Sequence, residues 1–88
     1  MDLTLTTHAQ ERMNQRGISR ETMELIYEYG TDAHDHRGGV RIMVPKKKIA
    51  SLAKKLPSIK RSLEKAKGIY LVVSSLDGAV ITAGHRYA

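Results

Sequence analysis

The sequence contains no cysteine, tryptophan or phenylalanine, and its aromatic residues are four tyrosines. Without cysteine there is no disulfide, no thiolate nucleophile and no cysteine-based zinc site, and a cytoplasmic protein is favoured. No apolar run approaches the roughly 20 residues of a membrane-spanning helix, and the N-terminus has no apolar signal region. We therefore expect a cytoplasmic protein with no membrane partner.

Acidic residues are also few, since 9 Asp and Glu stand against 15 Lys and Arg in 88 residues, which gives a formal net charge of +6. A basic balance favours RNA or another nucleic acid, an acidic protein or anionic lipid as the partner. A chain of this length forms one domain that buries about 60–65% of its unfolded surface. Such a domain has no room for a large enclosed cofactor cavity, so we expect no cofactor. The sequence does not indicate an oligomeric state.

The N-terminal residues predict a short edge strand followed by a helix. Residues 3–6 alternate between apolar and polar side chains, as a short strand does. Either Thr6 or Thr7 can cap the helix that follows. This helix continues to Arg16, and Gly17 is suited to end it.

A second helix is predicted immediately afterwards. Ser19 is a good N-cap for a helix over about residues 20–29, and Gly30 can end it. The helix is apolar over most of its surface, which predicts that it is buried. Residues 31–39 are polar and glycine-rich, which predicts a loop.

The second half of the chain predicts strands and an interrupted helix. Pro57 interrupts the helix because its ring clashes with the preceding turn, and Asp77-Gly78 is typical of a hairpin turn. The predicted elements are a strand over residues 40–44, a helix from residue 46 to Pro57 with a second piece beyond it, a central strand covered on both faces over residues 69–73, and a returning strand over residues 79–83. The predicted fold class is α+β, with a small antiparallel β-sheet packed against N-terminal helices.

Three basic or imidazole side chains, His8, Arg12 and Arg16, lie four residues apart within the first predicted helix. That spacing stacks them on one stripe of the helix. Only Ala9 and Met13 form an apolar strip beside them, so the stripe borders the core. A charge held at such a margin interacts more strongly with an anion than a charge in bulk water. The alternative is an exposed stripe on an amphipathic helix.

A second group of polar residues lies near the C-terminus in Ile-Thr-Ala-Gly-His-Arg-Tyr. Strict alternation puts Thr82, Gly84 and Arg86 on one face of the last strand and His85 on the other. A bulge at Gly84 would bring His85 round to join Thr82. If this strand also lies beside the first helix, two imidazoles and several guanidinium groups converge on a pocket suited to a phosphodiester. The alternative is a solvated tail.

Most of the excess positive charge lies between residues 46 and 67. Such a face can follow a phosphate backbone through counterion release, although a solubilising lysine-rich surface is the alternative. The positions predicted to bind nucleic acid are Arg16, Lys46, Lys47, Lys48, Lys54 and Lys55.

The predicted loop places two imidazoles beside a carboxylate, at His34, Asp35 and His36. A tight metal site needs further ligands that are held rigidly, so we expect no metal site. The same segment is also suited to cover an active cleft.

In three segments the chain resembles the bacterial domain-of-unknown-function family 4258. These are His-Ala-Gln-Glu-Arg-Met-Asn-Gln-Arg-Gly-Ile-Ser, an apolar helix ending in Tyr-Gly, and Val-Ile-Thr-Ala-Gly-His-Arg-Tyr. That family is similar to the RelE-like group, the barnase–EndoU–colicin–RelE ribonuclease fold. The resemblance covers both ends of the chain, whereas residues 45–67 match only in being basic and helical.

The resemblance implies a metal-independent, toxin-like endoribonuclease that acts on RNA and has an antitoxin-like acidic protein as a further partner. It places the active site between the first helix and the last strands, at His8, Arg12, Thr82, His85 and Arg86. An imidazole gains and loses a proton near neutral pH, so one histidine can accept the 2′-hydroxyl proton while the other protonates the leaving oxygen. The sequence leaves open which histidine has which role.

Two alternatives remain open at this point. One is a non-catalytic module that binds nucleic acid or protein, since the two helices joined at Gly17 superficially resemble a helix-turn-helix. Against it, the second helix is too apolar to read a DNA groove. The other is a family member that has lost its activity and retains protein contacts alone.

Overall fold

The computed structural model describes residues 3–34 and 38–86, and within them it has four α-helices and one four-stranded antiparallel sheet. The helices are α1 (Thr7–Gln15), α2 (Arg20–Tyr29), α3 (Lys46–Lys55) and α4 (Lys60–Lys65), with a short 3-10 helix at Pro57–Ile59. The strands are β1 (Thr31–His34), β2 (Gly39–Met43), β3 (Ile69–Ser74) and β4 (Val80–His85), and they lie in the sheet in this order. The predicted α+β class is confirmed.

Local capping sets the ends of the first two helices where the sequence predicts them. The side chain of Thr6 accepts a hydrogen bond from the Ala9 amide at 3.1 Å, and that of Ser19 accepts one from the Thr22 amide at 3.1 Å. Gly17 follows α1 with a φ of +64°, a left-handed conformation that costs other residues roughly 1–2 kcal/mol.

The core lies on one face of the sheet. Helix α2 packs on β2 and β3, α4 packs on α2, and α3 packs on α4. The largest fully buried side chains are Met23, Ile26, Leu63, Leu71 and Val80. They come from α2, α4, β3 and β4, so helices and sheet share one hydrophobic core.

Strand β3 alternates along its length. Its buried residues are Ile69, Leu71 and Val73, and its half-buried residues are Tyr70, Val72 and Ser74. We call the first side the core face of the sheet and the second side the outer face. The prediction that this strand is covered on both faces is wrong, because the side chains of the outer face keep part of their surface accessible.

The predicted loop over residues 31–39 is partly wrong. Residues 31–34 form β1, which pairs with β2 from Thr31 opposite Met43 to His34 opposite Val40. Residues 35–37 lie outside the described part of the chain. The side chains at positions 31–33 are exposed, so no alternation of apolar residues marks this strand. Backbone pairing alone defines it.

The predicted N-terminal strand is reduced to one bridge. Leu5 pairs in parallel with Val80. The Thr6 amide donates to the Val80 carbonyl at 3.0 Å, and the Val80 amide donates to the Thr4 carbonyl at 2.8 Å. The N-terminal segment therefore covers the free edge of β4.

The pairing of β3 with β4 contains one extra residue. Val72 lies opposite Thr82 whereas Val73 lies opposite Val80, so Ile81 is the extra residue of β4. Gly84 pairs in register with Tyr70. The predicted bulge at Gly84 is therefore wrong.

In the part of the chain that the structure describes, no helix combines the length and the apolar character needed to cross a bilayer.

We predict that Leu71→Ala lowers the free energy of unfolding by about 2–5 kcal/mol, because it leaves a cavity in the core. Leu71 is fully buried, and Leu76, which is 95% exposed, offers a matched control. Leu76→Ala should change the free energy by no more than about 0.5 kcal/mol. Urea unfolding followed by circular dichroism measures both, and equal losses would contradict this placement of the core.

Candidate active site and nucleic-acid interface

Helix α1 packs against strand β4, so the two ends of the chain that carry the motif residues are neighbours. Ala9 is fully buried in α1, and Ala83 and Gly84 are buried in β4. Thr6 Oγ1 donates to the Ile81 carbonyl at 3.2 Å. Small residues allow the two backbones to approach closely. We call this contact the α1–β4 seam.

His8 lies in the first turn of α1 with an exposed side chain. Arg12 Nε donates to His8 Nε2 at 3.3 Å, and Arg12 Nη1 donates to Gln15 Oε1 at 3.3 Å. This hydrogen bond places the imidazole of His8 beside the guanidinium group of Arg12. A neutral imidazole is able to take up a proton, while the guanidinium group beside it is able to bind an anion.

Arg16, the third member of the stripe, is half-buried against the sheet. Its Nη1 donates to the Ala83 carbonyl at 2.6 Å. A Cβ atom placed on Gly84 would lie 2.5 Å from Arg16 Nη1 and 2.8 Å from Tyr70 Oη. Only glycine leaves room for the guanidinium group at this position. Arg16 therefore has a structural role in the seam in addition to its predicted contact with nucleic acid.

Thr82 and His85 lie on opposite faces of the sheet. Thr82 pairs with Val72 and shares the outer face, whereas His85 pairs with Ile69 and shares the core face. Both are half-buried. The strand thus keeps its alternation from Thr82 onward, and the structure does not bring His85 round to Thr82.

The seam orders the predicted site residues along its length. Thr6 contacts the carbonyl of Ile81 near the beginning of β4, and Arg16 contacts the carbonyl of Ala83 nearer its end. His8 follows Thr6 closely, whereas His85 is the last residue of the strand. Arg16 is therefore the stripe residue that is tied to the end of β4 carrying His85.

Arg86 is exposed directly after β4, and its amide donates to the Gly68 carbonyl at 2.6 Å. It lines a groove of about 470 Å³ together with residues of β1 and β2 and the start of α3. The charged residues of this groove are Asp32, Arg41, Lys46 and Arg86. Three cations therefore face one carboxylate. We call this the Arg86 groove.

Arg41 and Tyr70 are two side chains that the sequence analysis missed. The guanidinium carbon of Arg41 lies 5.1 Å from the centroid of the Tyr70 ring, within the range of a cation–π interaction. Both belong to the outer face, since Arg41 pairs with Val72 and Tyr70 with Gly84. Each lies between two apolar residues of its strand, a pattern that predicts a side chain on the face opposite the core. Only the pairing of β2 with β3 brings them together.

The predicted nucleic-acid-binding lysines all belong to α3. Lys48 is half-buried and the others, Lys46, Lys47, Lys54 and Lys55, are exposed. Three of them, Lys47, Lys54 and Lys55, line a shallow depression of about 350 Å³. Within residues 3–34 and 38–86, Arg20 and Glu24 form the only ion pair. No described carboxylate neutralises these lysines, so α3 presents a cationic face, which we call the α3 lysine face.

Among the residues that are described, no group of three His, Asp or Glu side chains is placed to hold a metal ion. The loop candidates Asp35 and His36 and the side chain of His34 lie outside the described part of the chain.

Comparison of the chain with protein-family models, with curated proteins and with solved structures finds no significant match. The resemblance to domain-of-unknown-function family 4258 therefore depends on the motif residues alone.

We predict that Arg16→Ala lowers the free energy of unfolding by about 1–3 kcal/mol, because the Ala83 carbonyl loses a charged donor. Arg12→Ala is the matched control, since its bonds are exposed and lie within α1. That variant should stay within about 0.5 kcal/mol of the original protein. Both changes remove one positive charge, so the difference in urea unfolding reports the seam contact. A loss from Arg16→Ala no larger than that from Arg12→Ala would contradict its structural role.

Proposed function

We propose that the protein is a metal-independent, toxin-like endoribonuclease of RelE-like fold that cleaves RNA by attack of a 2′-hydroxyl on the adjacent phosphorus. The observation that carries this proposal is the α1–β4 seam, which makes neighbours of the helix with His8 and Arg12 and the strand with Thr82 and His85. Imidazole and guanidinium groups supply proton transfer and charge neutralisation, which are the two needs of phosphodiester cleavage.

His8 takes the role of general base in this proposal. Its Nε2 accepts a hydrogen bond from Arg12. In this proposal Arg12 turns to the phosphate when RNA binds, which frees the Nε2 lone pair for the proton of the 2′-hydroxyl. The imidazole removes the proton of the 2′-hydroxyl while the 2′-oxygen attacks phosphorus. The bond from phosphorus to the 5′-oxygen then breaks, and His85 gives a proton to that oxygen. The products are a 2′,3′-cyclic phosphate and a free 5′-hydroxyl.

Arg12, Thr82 and Arg86 stabilise the phosphate in the proposed reaction. The two guanidinium groups bind the non-bridging oxygens, where negative charge increases in the transition state. The Thr82 hydroxyl donates a further hydrogen bond from the outer face. His8 and His85 belong to different ends of the seam, and His85 shares the core face of the sheet whereas Thr82 shares the outer face. Both imidazoles must reach the same phosphorus, so the proposed reaction requires α1 and the end of β4 to move closer together when RNA binds.

RNA as substrate agrees with the net charge of +6 and with the unpaired lysines of α3. The same lysines would attract an antitoxin-like acidic protein, because complementary charge speeds association. Both partners and a cytoplasmic location belong to this proposal.

We predict that the purified protein cleaves RNA in the presence of EDTA and that His8→Ala and His85→Ala each lower the rate by about 10²–10⁴-fold, the usual contribution of a general acid or base. Gln10→Ala is the control, because Gln10 is an exposed residue of the same helix. It should leave the rate unchanged. Gel analysis of end-labelled RNA measures the cleavage.

A substrate with a single 2′-deoxynucleotide at the cleavage position should resist, since it lacks the attacking hydroxyl. Thermal unfolding by circular dichroism checks that each variant is folded. The proposal fails if the original protein leaves RNA intact in EDTA, or if both histidine variants retain the full rate.

A second candidate function is a non-catalytic module that binds nucleic acid through the α3 lysine face. It is favoured by the absence of any described carboxylate paired with these lysines. Flexible, strongly hydrated lysines bind phosphates as point charges and offer little recognition of shape. Such a module would bind many sequences with a steep dependence on salt.

For the binding module we expect that replacing Lys47, Lys54 and Lys55 with alanine reduces the slope of log K against log salt by about 0.7–0.9 for each phosphate that the variant no longer binds. Substitutions of His8 and His85 should have no effect on it. For the nuclease, each histidine substitution should lower the rate of cleavage by about 10²–10⁴-fold and leave the affinity nearly intact. Fluorescence anisotropy at several salt concentrations separates these two results.

A further inference from the structure

We infer that the Arg86 groove is a subsite for one nucleotide of single-stranded RNA, with its phosphate between Lys46 and Arg86 and its base stacked on Arg41. This inference rests on the proposed ribonuclease function, and it places the RNA next to the cleaved phosphate. The sequence analysis predicts Arg86 and Lys46 for separate parts of the protein, and the groove joins them with Arg41, which it does not predict.

The size and charge of the groove suit a nucleotide. Its volume is about 470 Å³, and small-molecule sites in proteins usually measure about 300–1,000 Å³. Arg41, Lys46 and Arg86 stand against the single carboxylate of Asp32. A phosphate placed there meets an excess of positive charge, and Arg86 can bind it with two parallel hydrogen bonds.

The position of Arg41 favours a base over a simple anion. Its guanidinium group lies over the Tyr70 ring at 5.1 Å, and Arg41 also lines the groove. The Tyr70 ring lies on one side of the guanidinium carbon. Arg41 is exposed, and in this inference the base lies on the side away from the ring. Unstacked RNA bases bind on arginine planes of this kind. An acidic peptide would be attracted by the positive charge of the groove, but it has no base to stack on the guanidinium group of Arg41.

The groove also lies next to the proposed active site. Arg86 is shared by both and follows His85 in the chain. The backbone at Arg86 is held by its hydrogen bond to the Gly68 carbonyl at 2.6 Å. Lys46 is the first residue of α3, and the N-cap Pro45 supplies no side-chain hydrogen bond there. The N-terminus of α3 adds its positive dipole end to the electrostatic field of Arg41, Lys46 and Arg86. These three side chains define the subsite.

The test measures binding without cleavage. A short fluorescein-labelled 2′-O-methyl oligoribonucleotide has no free 2′-hydroxyl, so anisotropy reports its affinity alone. Arg41→Ala should weaken binding about 5- to 150-fold, the range for loss of one stacked base. Lys46→Ala and Arg86→Ala should each flatten the salt dependence of log K by about 0.7. Arg41→Lys, which keeps the charge and loses the plane, should weaken binding as Arg41→Ala does.

Matched controls come from α4. Arg61→Ala and Lys65→Ala remove the same charges from exposed positions outside the groove. The inference is overturned if the groove variants weaken binding no more than these controls do. It is also overturned if adenosine monophosphate or inorganic phosphate competes at concentrations similar to the oligonucleotide itself, because the groove would then serve a free ligand.

The outcomes separate this inference from the proposed function. Groove-dependent binding by a protein that does not cleave ordinary RNA would overturn the ribonuclease and support the subsite. Cleavage that depends on His8, together with binding that ignores Arg41, Lys46 and Arg86, would overturn the subsite alone.

Discussion

The free edge of strand β4 is the constraint on which the arrangement of this molecule depends. An edge strand presents amides and carbonyls that need partners, and here the N-terminal part of the chain supplies them. The amide and carbonyl of Val80 both bond to N-terminal backbone groups. Thr6 then contacts the Ile81 carbonyl, and Arg16 contacts the Ala83 carbonyl. The first of these two side-chain contacts spans 75 positions of the sequence and the second spans 67. They therefore hold α1 beside a strand that is distant in sequence.

The extra residue in β4 decides which side chains share a face of the sheet. Val80 is fully buried opposite Val73 on the core face, while Thr82 lies opposite Val72 on the outer face. Regular alternation would put Val80 and Thr82 on the same face. Because Ile81 is an extra residue, the strand can bury Val80 on the core face and still place Thr82 and Gly84 on the outer face. Without this shift Gly84 would face the core, and Arg16 could not approach it.

The features that sequence reasoning predicts are those decided locally. Thr6 and Ser19 accept hydrogen bonds from amides three residues away, and Pro57 disrupts the helix that precedes it whatever the rest of the chain does. Strand β1 escapes prediction because its exposed residues carry no periodic pattern, and only its pairing with β2 defines it. The bulge predicted at Gly84 is misplaced, because the glycine there serves a close approach that involves a side chain from another element.

The same distinction applies to the candidate site. The helix and the strand that carry the motif residues are neighbours, as the sequence analysis expects. The expected convergence of His85 with Thr82 is not found, because the two residues lie on opposite faces of the sheet. The pairing of Arg41 with Tyr70 and the contact of Arg16 with Ala83 are not predicted, since each joins elements that only the folded chain brings together. Alternation within β2 and within β3 predicts that Arg41 and Tyr70 each point away from the core. The sequence of neither strand specifies the register that brings the two side chains together.

The cations of this protein differ in what holds their side chains, and this difference bears on how it would recognise RNA. Arg16 donates a hydrogen bond to a carbonyl and Arg41 lies over an aromatic ring, so each side chain has a protein contact that lowers the freedom it loses when a ligand binds. The lysines of α3 have no described ionic partner, and they act through a field that salt screens within about 10 Å at 0.1 M. In the proposed function, the lysines would therefore raise the rate of encounter with RNA. Arg16 at the seam and Arg41 in the Arg86 groove would determine the position of the bound RNA.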